Sequence, residues 1–239
     1  MKKVLHLFLT VSFFVICTEN SRGEEFHKVQ LGVTFSPNYA YRTLKGDSES
    51  FVLQGRNEHE IAKFGFSGGL NVGFNPNSWF GIESGILYTN KGYRTEKDYF
   101  KQDQEVAILN NSQWIRTVYS FHYIDIPLKM RFSARLDKIS FFAAAGITTG
   151  FLAVQKNTIQ CEREKDSASP NYASHHNRIN LSPTVSAGID YKVTSKSSLR
   201  IEPIYRYGVL NINKDSGPGL ISQYLWDAGV SVSYLVGIR

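Results

Sequence analysis

Ser120 and His122 lie two residues apart, and a serine beside a base is the smallest pair that could carry acyl transfer. On an extended chain they share a face, yet about 6.5 to 7 Å of backbone separates them, longer than a hydrogen bond unless the side chains lean together. No acid is evident to orient the histidine, so the expectation is an interfacial polar pair. His175-His176 sits in a polar stretch without the spaced carboxylates or cysteines of a metal site, and reads as solvated loop with no metal and no cofactor. No glycine-rich phosphate loop follows a strand and opens a helix, which leaves nucleotide binding without support. A larger set is made of charges embedded in apolar runs: Glu83, Asp125, Lys129, Arg131, Asp190, Arg200, Glu202, Arg206 and Asp227. What these can do depends on the elements that hold them.

The clearest element is the stretch from Tyr224 to Arg239. Its even positions Tyr224, Trp226, Ala228, Val230, Val232, Tyr234, Val236 and Ile238 are apolar, while Asp227, Gly229, Ser231, Ser233 and Gly237 lie between them. Period-two alternation of this length is a strand whose two faces meet different surroundings. The same pattern recurs from Lys28 to Tyr39, from Phe64 to Phe74, from Phe80 to Tyr88, from Ser120 to Ser133, from Ile139 to Phe151, from Ile179 to Val193 and from Leu199 to Val209. Between these strands, long polar loops (Arg42 to Ala62, Lys91 to Arg116, Gln155 to Arg178, Asn211 to Leu220) alternate with short turns at Asn75-Pro76-Asn77, Arg135 to Asp137 and Thr194 to Ser197. Antiparallel up-and-down order sends every long loop to one rim and every turn to the other.

Two features decide which face is inside. The polar face is crowded with glycine, including Gly32, Gly65, Gly69, Gly85, Gly146 and Gly188, as the cramped interior of a narrow barrel requires. The apolar face carries two aromatic tiers, Tyr39, Phe64, Tyr88, Phe151, Tyr207, Tyr224 and Trp226 toward the long loops, and Phe74, Phe80, Phe132, Phe141, Tyr191 and Tyr234 toward the turns. Amphipathic rings prefer the headgroup level and aliphatic side chains prefer hydrocarbon, so paired girdles match a bilayer. The fold expected is all-β, a single antiparallel up-and-down transmembrane barrel of about eight strands with extracellular loops and periplasmic turns. A lumen of that size is filled by its own side chains, and the nine charges are expected to form a salt-bridge network that plugs it. Pro37, Pro127, Pro183 and Pro203 fall inside strands, where bulges or frayed ends are expected.

The N-terminus is consistent with this destination. Met1-Lys2-Lys3 and the apolar run Val4 to Cys17 read as a secretory signal peptide over residues 1–23, with Ser21 and Gly23 at the cleavage spacing and the barrel domain over residues 24–239. A lipoprotein signal ending at Cys17 is the competing reading, against which Ile16 supplies a bulky neighbour. Removing residues 1–23 lowers the formal charge from +6 to +4, too modest to indicate nucleic acid. Cys161 is then the remaining cysteine, which leaves no intramolecular disulfide framework. No later segment reaches the roughly 18 to 20 apolar residues of a membrane helix, so strands must carry any crossing.

Three pieces carry a family resemblance: Gly65-Phe66-Ser67-Gly68-Gly69-Leu70-Asn71, Gly85-Ile86-Leu87-Tyr88 with Lys91-Gly92, and Tyr123-Ile124-Asp125-Ile126-Pro127-Leu128-Lys129. Through them the chain resembles the outer-membrane β-barrel domain family of Bacteroidota that includes PorT-like proteins. The resemblance spans nearly the whole mature chain and implies an integral outer-membrane barrel, but no reaction. The expected surroundings are outer-membrane lipid, lipopolysaccharide and the barrel assembly machinery. A non-enzymatic scaffold or binding component, tied to an envelope or secretion complex through loops that carry Tyr99, Trp114 and Tyr172, is the first functional expectation. A narrow porin-like channel is the alternative, and a rim enzyme acting on lipid A through Ser120 and His122 the second.

Overall fold

Alternating side chains give this sequence strands that must bury two different faces, and the solution is a closed ring. The computed structural model describes residues 28–46, 51–99, 114–162, 167–168, 176–214 and 221–238. In chain order the elements are β1 (Val29–Lys45), α1 (Phe51–His59), β2 (Glu60–Phe74), β3 (Phe80–Thr95), β4 (Asp98–Tyr99), β5 (Trp114–Leu136), β6 (Ile139–Cys161), β7 (Ser167–Ala168), β8 (Ile179–Lys192), β9 (Ser197–Tyr207) and β10 (Ser222–Ile238). Every pairing is antiparallel, and the ring runs β1-β2-β3-β5-β6-β8-β9-β10 back to β1. The two-residue strands β4 and β7 add to β5 and β6 outside it. Closure from Val29↔Ile238 to Lys45↔Ser222 removes the sheet edges that would otherwise invite pairing with other chains.

The ring is inverted relative to a soluble protein. Leu70, Ile86 and Leu128 on the outer face are 64%, 62% and 62% exposed, whereas Asp125, Arg200 and Asp227 on the inner face are at most 2% exposed. An apolar belt around the whole circumference with charge inside is stable only where hydrocarbon replaces water outside. Among the described residues no helix is long and apolar enough to cross a membrane; the apolar belt is carried by strands whose closed ring pairs the backbone internally, as a bilayer requires.

Three expectations are corrected. The strands outrun the hydrophobic pattern: β5 and β6 have 23 residues each, against roughly 9 to 11 needed to cross a bilayer. Consequently Arg42–Lys45, Lys91–Thr95, Trp114–Arg116 and Gln155–Cys161 are strand rather than loop, and Phe51–His59 is helix. Beyond the membrane both faces meet water or protein, so alternation fades while hydrogen bonding continues.

The second correction concerns proline. Each of the four keeps register, and the ladder skips its rung on one side only: Pro37 toward β10, Pro127 toward β3, Pro203 toward β8, and Pro183 at the end of its ladder with β9. On the opposite side the rungs Pro37↔Phe66, Pro127↔Thr148, Pro183↔Ile147 and Pro203↔Val230 are intact. An antiparallel residue directs its N–H and C=O to the same neighbour, so a missing N–H disturbs a single ladder. Bulges do occur, but elsewhere.

The third is that the inner face is not polar throughout. Phe121, Tyr123, Leu152 and Leu225 point inward and pack with Tyr93 and Ile212 into an apolar cluster beneath the long loops. Glycine serves close approach as well as space: a Cβ on Gly146 would stand 2.0 Å from the Leu128 carbonyl oxygen of the adjacent strand.

Candidate functional site, a charged lumen beneath an outer vestibule

Cross-strand register brings the inward charges together. Glu83 on β3 is directly opposite Lys129 on β5, Asp190 on β8 opposite Arg200 on β9, and Asp227 on β10 opposite Arg206 on β9. Nearest the turns, Arg131 reaches Glu83 Oε1 at 2.9 Å and Asp190 Oδ2 at 3.1 Å, and donates to Asn75 Oδ1 at 2.6 Å. Arg200 donates to Glu83 Oε1 at 2.5 Å and holds Asp190 through two nitrogens at 2.6 and 3.0 Å. Lys129 Nζ lies 2.5 Å from Glu202 Oε1 and 3.3 Å from Glu83 Oε2. These three acids and three bases sum to no net charge, and the arrangement spreads each desolvated group over several partners.

Above them Arg206 spans the lumen, bonding Asp227 Oδ2 and Ser67 Oγ at 3.0 Å each, with Asp125 Oδ2 at 3.7 Å. A cavity of about 50 Å³ touches Ser67, Glu202 and Arg206, room for a few waters. The apolar cluster closes over this layer, with Lys91 Nζ 4.7 Å above the Tyr123 ring. All nine charges named from the sequence therefore face the lumen.

The outer mouth depends on two bulges. Between Ala62↔Tyr93 and Phe66↔Asn90 the β2 strand advances four residues for three on β3, which turns Glu60 inward along with Lys63. Arg42 then pairs with Glu60 and with the Gln223 amide, and donates to the Tyr93 hydroxyl at 2.9 Å. On β6, Leu152 opposes Tyr123 and Val154 opposes His122, so Ala153 is the extra residue and Gln155 joins Leu152 inside. Gln155 and Gln223, with Tyr93, Tyr119, Phe121, Asn157 and His176, line a vestibule of about 240 Å³. Bulges cluster where a side chain must be re-aimed, often beside functional sites.

Sequence reasoning missed this mouth. The available signal was apolar residues in the polar phase, Leu225 between Tyr224 and Trp226 above all, together with Gly92, whose φ of +152° few side chains adopt.

The remaining candidates separate. His122 and Ser120 are half-exposed, and the His122 Nδ1 lies 2.5 Å from the Tyr88 hydroxyl, so the histidine's partner is a girdle tyrosine rather than the serine. His176 is no free loop residue: it bridges to Asn213 and meets Phe121 edge-on at 5.3 Å, while His175 lies outside the described residues. Cys161, a free thiol, ends β6. Of the aromatic tiers, Tyr39, Phe64, Phe74, Tyr88, Phe132, Phe141, Phe151, Tyr191 and Tyr234 are exposed, and Phe80, Tyr207, Tyr224 and Trp226 partly so. Residues 1–23 and Tyr172 lie outside the described residues.

No curated protein matches the chain. Among solved structures it is similar to neisserial surface protein A, at 14% identity over 88% of this chain and 97% of that one, with a TM-score of 0.42. The N-terminal β-barrel domain of Pseudomonas aeruginosa OprF is 10% identical over 88% and 99%, TM-score 0.38. The outer membrane enzyme PagL is 9% identical over 87% and 99%, TM-score 0.34. A family profile matches residues 18–214, and by it this chain, an integral outer-membrane protein, belongs to the outer membrane protein beta-barrel domain family.

Proposed function

We propose that the chain is a non-enzymatic, PorT-like scaffold or binding component of the outer membrane, whose lumen is closed and whose contacts lie at the outer mouth and loops. The observation that carries this is the stacking of two barriers, a neutral network of buried ion pairs and an apolar cluster above it. An ion crossing such a lumen must displace paired charges and then pass a dry constriction. Residues 1–23 serve as the export signal, the two aromatic tiers sit at the headgroup levels, and lipopolysaccharide surrounds the outer rim. The barrel assembly machinery inserts the chain, and an envelope or secretion complex is the class of protein partner.

Planar-bilayer recording on the folded protein tests the reading. An electrically silent barrel is expected, with current appearing when Phe121→Ala and Arg200→Ala are combined. Steady wild-type current whose ion selectivity changes with Glu202→Lys would replace the proposal with a channel.

A further inference from the structure

We infer that the outer vestibule binds an uncharged saccharide, the terminal sugar of a neutral glycan. The inference rests on the reading of the barrel as a binding component and names the ligand class of its mouth. Tyr119 gives the mouth its aromatic surface, backed by the buried rings of Tyr93 and Phe121. Asn157 and Gln155, the partners of Tyr119 and Phe121 across the β5–β6 ladder, set amides beside it, with His176 and the Gln223 amide nitrogen completing the lining. A sugar ring offers an apolar C–H face and hydroxyls that each donate and accept. Aromatic faces suit the first, and amides, which combine donor and acceptor in one group, suit the second.

Charge points the same way, because among the described residues the lining has no carboxylate and no lysine or arginine. Arg42, the cation behind it, is already paired with Glu60 and stacks 3.8 Å over the Tyr93 ring. Lys91, buried opposite Phe121, lays its ammonium over the Tyr123 ring 4.7 Å away, so among the described lining residues no cation faces a sulfated or carboxylated sugar.

The walls are also held in place before any ligand arrives. The Tyr93 ring is clamped between Arg42 and Tyr119, whose ring centroid is 4.6 Å away. Phe121 is fixed edge-on by His176, and Gln155, turned inward by the β6 bulge, donates to Asn157 Oδ1 at 2.6 Å. Tyr119 keeps part of its surface exposed and supplies the accessible aromatic face. Walls that need no ordering lower the entropic cost of binding. The floor is the apolar cluster, so an occupant stops at the mouth. At about 240 Å³ the space is below the roughly 300 to 1,000 Å³ of drug-sized pockets, which suits one sugar rather than a run of them.

The test uses the full chain, folded in detergent and checked by heat-modifiable gel mobility. It is titrated with methyl glycosides of glucose, galactose and N-acetylglucosamine, and with glucuronate and a sulfated galactoside, by saturation-transfer NMR and calorimetry. At least one neutral glycoside is expected to bind. Tyr119→Ala should weaken it about tenfold, as loss of one aromatic contact does, and Asn157→Ala about threefold. Tyr119→Phe keeps the ring and should bind like the wild type, which preserves the test if the alanine variant does not fold. Silence from every neutral glycoside, binding indifferent to both Tyr119→Ala and Asn157→Ala, or preference for the charged sugars would overturn the inference. Those results leave the closed-barrel reading standing, whereas steady wild-type current would overturn that reading and leave the sugar site intact.

Discussion

Glu60 meets Arg42 because β2 carries one more residue than β3 between Ala62 and Phe66. Strict alternation from Lys63 would point Glu60 outward, and the arginine, 3% exposed, would lose its carboxylate. Glu60→Gln is therefore expected to lower the unfolding free energy by about 1 to 3 kcal/mol, the usual cost of leaving a buried polar group short of its partner. Urea titration followed by tryptophan fluorescence measures it. An unchanged midpoint would mean that water already satisfies Arg42.

Deeper in the lumen, Glu83 and Lys129 face each other across β3 and β5. Glu83→Gln leaves Lys129, Arg131 and Arg200 sharing fewer negative charges and should cost about 3 to 5 kcal/mol. Reversing the pair, Glu83→Lys with Lys129→Glu, should be less damaging than the sum of the two single changes, by more than about 0.5 kcal/mol. Strictly additive losses would remove the pair from the account of register.

Leu128 stands on the outer face between the two aromatic tiers and is 62% exposed. Leu128→Arg should destabilise the barrel in lipid vesicles by about 2 to 4 kcal/mol, as a basic residue near the mid-plane does. The inward neighbour Lys129 already carries a charge at the same height, so the comparison isolates the face. A loss under about 1 kcal/mol would place Leu128 near an interface instead.

His122 bonds Tyr88, and Ser120 has no part in that contact. His122→Ala is expected to leave the mass spectrum of lipid A from expressing cells unchanged while the barrel still assembles. A lipid A species that disappears with His122→Ala and returns with the wild type would make the rim a catalytic site.

The ring was legible in the sequence wherever lipid and lumen press on opposite faces, because a single apolar residue in the wrong phase is costly there. Asp125, Lys129 and Arg131 on β5 and Arg200, Glu202 and Arg206 on β9 could be placed by counting in twos. Above the bilayer that pressure ends, and there Glu60 and Gln155 read as loop although both lie on strands beside a bulge. Glu60 and Gln155 owe their direction to one inserted residue each, which no composition signals. The inward turn of Leu225 and Phe121 was visible as hydrophobes among polar neighbours, yet their role as a lid required knowing that Leu152 and Ile212 converge on the same point. Proline was misjudged for a physical reason: the rule against proline in central strands assumes that losing one donor disturbs both ladders, and here it interrupts one.

The gap at Pro37 has a consequence for how the cylinder shuts. The ladder between the first and last strands is interrupted at Ser36 and Pro37, leaving one run of rungs from Val29 to Phe35 and another from Asn38 to Lys45. The seam is thus two zippers in series, and the joining of the earliest-made strand to the latest-made one need not happen in a single concerted stroke. Whichever half engages first aligns the other, since both keep the same register across the break.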